Sequence, residues 1–188
     1  MAQLAPFSTA LSVVPVRPSA PRAPLARVRV EAQFYSGKNL IRSQSSVPLM
    51  PGLLSAFAGF THGTEFAMAE GPSVAVEDLE PGMTLRAPNG ETMPIQWIGS
   101  VELMPAMLAR LGTPDAPALV RILPDRFGYA RPARDIVVAG CTQVSTGSSV
   151  KPAHALVDYE AVLPVTPPGP VRMFQLVCTQ PLDLIANG

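Results

Sequence analysis

Cysteine and histidine are scarce in this chain, with two of each in 188 residues. Two cysteines are too few for a disulfide-stapled scaffold or a four-cysteine zinc site. No HxxxH, CxxC or paired-carboxylate set has metal-ligand spacing, so neither a metal nor another cofactor is expected. Charge is sparse as well: charged residues make up 15%, and 14 basic groups cancel 14 acidic ones. A net charge of zero lacks the basic footprint that general binding to nucleic acid or an anionic membrane requires. Long apolar runs are missing. Residues 43–64 contain no Lys, Arg, Asp or Glu, but Pro48, Pro51 and Gly52 interrupt them. A spanning helix of about 20 apolar residues is therefore not available, and a short buried strand or a segment docked on a core is expected instead. The run Leu4–Val14 has no basic residue before it and contains Pro6, Ser8, Thr9 and Ser12, which makes a poor secretory signal. The expected location is cytoplasmic, or in a particle assembled there.

Proline is abundant, 22 in 188 residues, more than twice the usual ~5%. It argues against a helical bundle, because an interior proline costs a helix about 3 kcal/mol. The zero net charge conceals a division. Residues 1–58 carry Arg17, Arg22, Arg27, Arg29, Lys38 and Arg42 against Glu31 alone, whereas residues 59–188 carry eight basic groups and thirteen acids. The first part is therefore +5 and the second −5 (6 − 1 and 8 − 13). Five prolines fall in the first 24 residues, and such a segment cannot pack a core by itself. The reading is an extended, proline-rich basic arm over 1–58 and a globular body over 59–188. Either the arm is a solvated tail, or its arginines (Arg17, Arg22, Arg27, Arg29) lie on an acidic surface of the body or of a neighbouring subunit.

From residue 59 onward short apolar runs alternate with turn signals at 70–73, 80–83, 88–91 and 167–170. The runs are four to eight residues long and rich in Val, Ile, Thr and aromatics, which is the pattern of strands. Asn89-Gly90 between TLRA and TMPIQW predicts a hairpin. Glu102–Leu111 predicts the one helix, limited to roughly two turns by Pro105 and stopped by Gly112. The body is expected to be all-β with one short helix.

Several motifs fall in a telling order. Gly59-Phe60-Thr61-His62-Gly63-Thr64 is followed by Val76-Glu77-Asp78-Leu79-Glu80-Pro81-Gly82, then by Asn89-Gly90 and Pro94-Ile95-Gln96-Trp97-Ile98-Gly99. Later come Leu119-Val120-Arg121-Ile122, Pro132-Ala133-Arg134-Asp135-Ile136-Val137-Val138, Val150–Val157 and Met173–Val177. This order resembles the Hint domain shared by Hedgehog proteins and inteins, in its bacterial form, over about residues 57–188. The resemblance implies a compact β fold and self-processing chemistry. A Cys, Ser or Thr at the first position of the domain attacks the preceding carbonyl, and a later His protonates the leaving amide nitrogen. This chain departs from that pattern at the chemically distinctive positions. Gly59 stands at the nucleophile, Thr142 at the His, Gln175 at the strand His and Pro181 at the terminal His.

The expectation is thus a retained fold without catalytic residues, acting as a structural or interaction protein through a protein partner or its own copies, with membership of a larger particle as a further reading. The alternative is autoproteolysis at Ala58-Gly59 by a substitute nucleophile. Thr61, His62 and Thr64 adjoin that point, but neighbouring strand side chains face opposite ways, so they are expected as turn and strand residues. Cys141 and Cys178 are expected as small buried hydrophobes. A disulfide between them stays open, because sequence does not supply their separation, and so does a reactive thiol. His154 is expected as a surface or satisfied histidine, with a pH switch as the other reading. Glu77, Asp78 and Glu80, with Glu65 and Glu70, are expected to form a solvated acidic edge, and Trp97 is expected in the core.

Overall fold

The structure is a computed structural model that describes residues 26–50, 52–56, 59–181 and 183–188. Its centre is a nine-stranded antiparallel sheet, so the all-β expectation holds. The strands, in chain order, are β1 (Arg27–Ser36), β2 (Asn39–Pro48), β3 (Phe60–Thr61), β4 (Glu65–Phe66), β5 (Val74–Ala75), β6 (Thr84–Arg86), β7 (Thr92–Leu103), β8 (Leu119–Ile122), β9 (Ile136–Ala139), β10 (Gln143–Ser145), β11 (Val150–Pro152), β12 (Val162–Pro164) and β13 (Val171–Cys178). The sheet runs in the order β12-β8-β9-β3-β13-β7-β1-β2, with β6 also paired to β7, while β4-β5 and β10-β11 form separate ribbons. Two short helices accompany it, α1 (Leu53–Ala56) and α2 (Pro105–Leu111). No helix among the described residues is long and apolar enough to cross a membrane.

The predicted hairpin forms. Thr84↔Pro94 through Arg86↔Thr92 pair across the turn, where Gly90 takes φ +86°, a region open to glycine at little cost. Trp97 lies half-buried against the first core cluster, and a Cβ on Gly99 would meet its ring at 1.9 Å. Residues i and i+2 share a strand face, so the Trp97 ring occupies the space that a side chain on the glycine two residues on would need. The helix differs from its prediction at one end. β7 continues through Leu103, and α2 starts at Pro105 and ends before Gly112. At the first helical position proline forfeits no hydrogen bond, so it opens this helix rather than limiting it. The stretch 74–79, which follows the turn signal at 70–73 and shares the general strand pattern of the body, gives only β5 and then a 3₁₀ turn over Val76–Asp78. There the Glu77 carboxylate accepts the Gly63 N–H at 2.9 Å, a side-chain-to-backbone bond of the kind that competes with strand pairing.

The larger correction concerns the arm. Residues 27–48, expected as part of an extended arm, form a two-stranded hairpin, and β1 pairs β7 from Val30↔Val101 to Phe34↔Trp97. The physical reason is alternation: Val28, Val30, Ala32 and Phe34 fall on one face and Arg27, Arg29, Glu31 and Gln33 on the other. The apolar face needs a core and finds one. Leu49, Leu53 and Leu54 are buried with Val28, Val101, Leu103, Leu108 and Met173 in one cluster, so the uncharged stretch after β2 is a docked segment, as its composition suggested. Two further clusters complete the interior, one around Phe66, Leu85, Ile95 and Phe174 and one around Val120, Ile136 and Val162.

A single cross-strand row shows how the sheet is polarised. Gln44, Glu31, Ser100, Phe174, Phe60, Val138 and Val120 lie opposite one another from β2 to β8. The first three are polar and the rest apolar. This face is therefore buried at the β8–β9 end and polar at the hairpin end. Gly59 sits where the row turns apolar, immediately before β3.

Candidate functional site

β3 has only two residues, yet it joins both halves of the sheet: Phe60 pairs Phe174 of β13 on one side and Val138 of β9 on the other. Gly59 enters this slot buried. A Cβ built on Gly59 would lie 1.7 Å from the Phe174 carbonyl oxygen, 2.8 Å from its carbon and 3.2 Å from Gln175 Oε1. The obstacle is main chain in the middle of a sheet, so no rotamer relieves it. Any residue with a side chain here requires β3 and β13 to separate.

Thr142 stands on the other side of the same residue. It is buried, and its hydroxyl donates to the Gly59 carbonyl at 3.2 Å, beside the Ala139 N–H at 3.1 Å. The turn that presents Thr142 is closed by its own N–H to Ala139 O at 2.9 Å, and the Thr142 carbonyl accepts Ala153 N–H at 2.9 Å. Thr142 therefore fixes the main chain of Gly59. Its hydroxyl carries no proton that titrates near neutrality, and it meets the carbonyl of Gly59, whereas an amide-cleaving acid must reach a nitrogen.

Gln175 is the third of the substituted positions and adjoins Gly59. Its Nε2 donates to Leu176 O at a long 3.4 Å, and its Oε1 is buried without a hydrogen-bond partner. Pro181 is exposed and lines a shallow surface hollow with Pro88, Asn89 and Glu91, so it belongs to the hairpin turn. The structure thus brings together Gly59, Thr142 and Gln175 and sets Pro181 elsewhere. Ala58 lies outside the described residues.

The neighbouring hydroxyls and imidazoles are engaged in separate contacts. Thr61 Oγ1 donates to Val137 O at 2.9 Å and Thr64 Oγ1 to Thr61 O at 2.8 Å. His62 is mostly exposed and meets Glu77 Oε1 at 3.2 Å. Each hydroxyl is spent on main chain, and His62 faces a carboxylate. His154 Nδ1 donates to Gly140 O at 2.9 Å, which places its proton on Nδ1 and makes it a satisfied, half-buried histidine.

Both cysteines are free. Burial pushes both thiols above the ordinary value, the opposite of what an activated nucleophile needs. Cys141 Sγ meets the Leu54 carbonyl at 3.4 Å. The acidic residues are dispersed into separate contacts, Glu77 to Gly63 and His62, Glu80 to Arg42 at 3.4 Å, and Glu65 to Arg134. Among the described residues no three His, Cys, Asp or Glu side chains converge.

Of the arm arginines, Arg17 and Arg22 lie outside the described residues. Arg27 binds the Ser46 hydroxyl at 3.0 Å and the Ser46 carbonyl, and Arg29 meets Glu31 at 3.8 Å, so both stay within their own hairpin. The contacts between hairpin and body come instead from Arg42 to Glu80 and from Arg172 to Glu31. Sequence reasoning had not singled out Arg172. Its guanidinium also donates to Ser100 Oγ at 3.0 Å and lies 5.5 Å from the Phe174 ring centroid.

The class defined by this geometry is a compact β protein whose domain-opening residue is clamped at the centre of a sheet. A family model describing the Hint domain matches residues 58–188, and the chain belongs to the Hint domain family. No curated protein and no solved structure matches the chain.

Proposed function

We propose that this chain is a non-catalytic Hint domain, a structural or interaction protein whose basic N-terminal arm docks on a neighbouring subunit or on its own acidic body. The observation that carries this reading is the space around Gly59. The position that would hold the nucleophile has no side chain and no room for one, with the Phe174 carbonyl 1.7 Å from the site of a Cβ. Thr142, where the His would stand, holds main chain and offers no acid. A further point favours the same reading: β1 and β2 are built into the sheet, so a cut at 58–59 would leave both pieces joined by a ladder and a shared core. A cytoplasmic location, or a particle assembled there, goes with this role.

Intact-mass measurement tests it. The full chain incubated with thiol or hydroxylamine is expected to keep its single mass of 19.8 kDa. Gly59→Cys is expected to stay uncut as well, and to melt lower, because overpacking costs about 3 kcal/mol. Accumulation of fragments corresponding to 1–58 and 59–188 would overturn the reading in favour of self-processing.

A further inference from the structure

Among the described residues the nine-stranded sheet ends on an open edge. β2 is the outermost strand, ten residues long. The Gly37–Lys38 turn closes on the Ser36↔Asn39 pair, and antiparallel alternation then turns the N–H and C=O groups of Leu40, Arg42, Gln44 and Ser46 away from β1. Exposed edges are usually guarded by shortness, lysine, proline or a bulge. β2 is long, carries Arg42 as its one charge, pairs without a bulge and meets proline only at its last residue, Pro48. Arg27 covers the Ser46 carbonyl, at the same end as that proline. An apolar row meets the open part of the edge. Ile41, Phe34, Trp97 and Val177 lie opposite one another across β2, β1, β7 and β13, with Ile41 38% and Val177 42% exposed.

The chain also contains a segment of matching chemistry. Phe7–Val14 has neither proline nor charge; Phe7, Leu11 and Val13 fall on one strand face with Thr9, and Ser8, Ala10 and Ser12 on the other with Val14. That is the period-two pattern of a half-buried strand. Resting on the arm-docking reading above, we propose that Phe7–Val14 of one copy adds to β2 of a second copy, main chain to main chain, with its apolar side continuing the row that ends at Ile41. This is strand addition of the general kind that open sheet edges support.

The connection between the segment and β1 decides between the molecule's own edge and another copy's. Pro15, Pro18, Pro21 and Pro24 recur at every third residue, a spacing that predicts a semi-rigid polyproline spacer of roughly 31 Å at about 3.1 Å per residue. The arm joins the hairpin at Ala26, whose carbonyl accepts Leu49 N–H at 2.6 Å. To lay Phe7–Val14 along its own β2, the spacer would have to recross the hairpin. On one face Leu49, Leu53 and Leu54 already pack on Val28. On the other, Arg27, Arg29 and Arg42 would confront Arg17 and Arg22 with like charge. A second copy presents its edge with neither obstacle.

Size-exclusion chromatography with light scattering on the full chain tests the proposal, with circular dichroism to check folding. The unaltered chain is expected to self-associate as concentration rises. Leu11→Asp changes only the donated strand, and Gln44→Pro removes an outward N–H together with the Nε2 donation to Glu31 Oε1 at 3.0 Å, leaving the β1–β2 ladder intact, so each is expected to be monomeric and folded. Mixed together, they are expected to form a 1:1 heterodimer, since one supplies an intact edge and the other an intact strand. If Gln44→Pro does not fold, Gln44→Lys is the edge variant to use. A monomeric full chain, variants that assemble like it, or a mixture that stays apart would each overturn the proposal. A chain lacking residues 1–25 separates the two claims. If that truncation dissociates while both point variants still assemble, arm docking stands and strand addition falls. If the truncation assembles normally, both fall.

Discussion

Single residues in this molecule are specialised for holding main chain in place, and Asp158 shows this as clearly as Thr142 does. One carboxylate oxygen of Asp158 accepts the N–H groups of Glu160, Ala161 and Val162 at 2.8–2.9 Å, fixing the turn that leads into β12. Those three backbone donors, with a smaller contribution from Arg126, lower its pKa from 3.8 to about 2. A carboxyl whose folded value lies below its unfolded value adds stability above the unfolded value and loses it as pH falls through the folded one. The contribution is therefore complete above about pH 5 and is lost progressively as pH falls through about 2. Asp158→Asn keeps an acceptor but no charge. Its deficit in urea midpoint against the unaltered chain is expected to be full at pH 5 and to shrink steadily toward pH 2. An equal deficit across that range would assign the effect to lost packing and not to the charged turn.

At the scale of elements, α2 separates what local sequence dictates from what packing dictates. Pro105 opens the helix and Leu108 is its buried residue. Pro105→Ala is expected to change stability by less than about 0.5 kcal/mol, because the first helical N–H has no intrahelical partner to lose. Leu108→Ala is expected to cost about 2–5 kcal/mol as a cavity in the first core cluster. Urea denaturation of both variants checks the contrast, and a Pro105→Ala effect as large as the Leu108 one would show that the cap has been misread. The strands of the body were legible for the same local reasons: period-two runs, Asn89-Gly90, and Trp97-Ile98-Gly99 with the ring in the space a side chain on the glycine would need. The hairpin over 27–48 was hidden, although Val28, Val30, Ala32 and Phe34 alternate as regularly as any strand in the body. Charge and proline counted over the whole of 1–58 averaged a proline-rich segment with a proline-poor hairpin. At the candidate site the sequence could show that Gly59 has no nucleophile. It could not show that the Phe174 carbonyl fills the place of a side chain, because that contact spans more than a hundred residues.

For the whole molecule, the place where family similarity begins and the place where the cooperative unit begins are different. The Hint match starts at residue 58, but β1 covers the flank of β7, and Val28, Leu49, Leu53 and Leu54 are buried in the core that also holds Val101 and Met173. Burying an aliphatic side chain is worth about 1.5–3 kcal/mol, so these four supply at least about 6 kcal/mol, against the roughly 5–15 kcal/mol by which a whole domain is stable. Their loss would also bare the edge of β7, the longest strand in the sheet. A chain lacking residues 1–25 is accordingly expected, at a concentration low enough that the full chain is not self-associated, to melt in one transition within about 3 °C of the full chain, since a change under 1 kcal/mol moves a domain of this size by only a few degrees. A chain beginning at residue 59 is expected to aggregate or to show no cooperative melt. Thermal denaturation followed by circular dichroism distinguishes the two truncations. A cooperative melt for 59–188 near that of the full chain would mean that the hairpin is an accessory to the Hint domain. Its absence would mean that the same hairpin which offers a free edge on one side is, on the other, part of what keeps the domain folded.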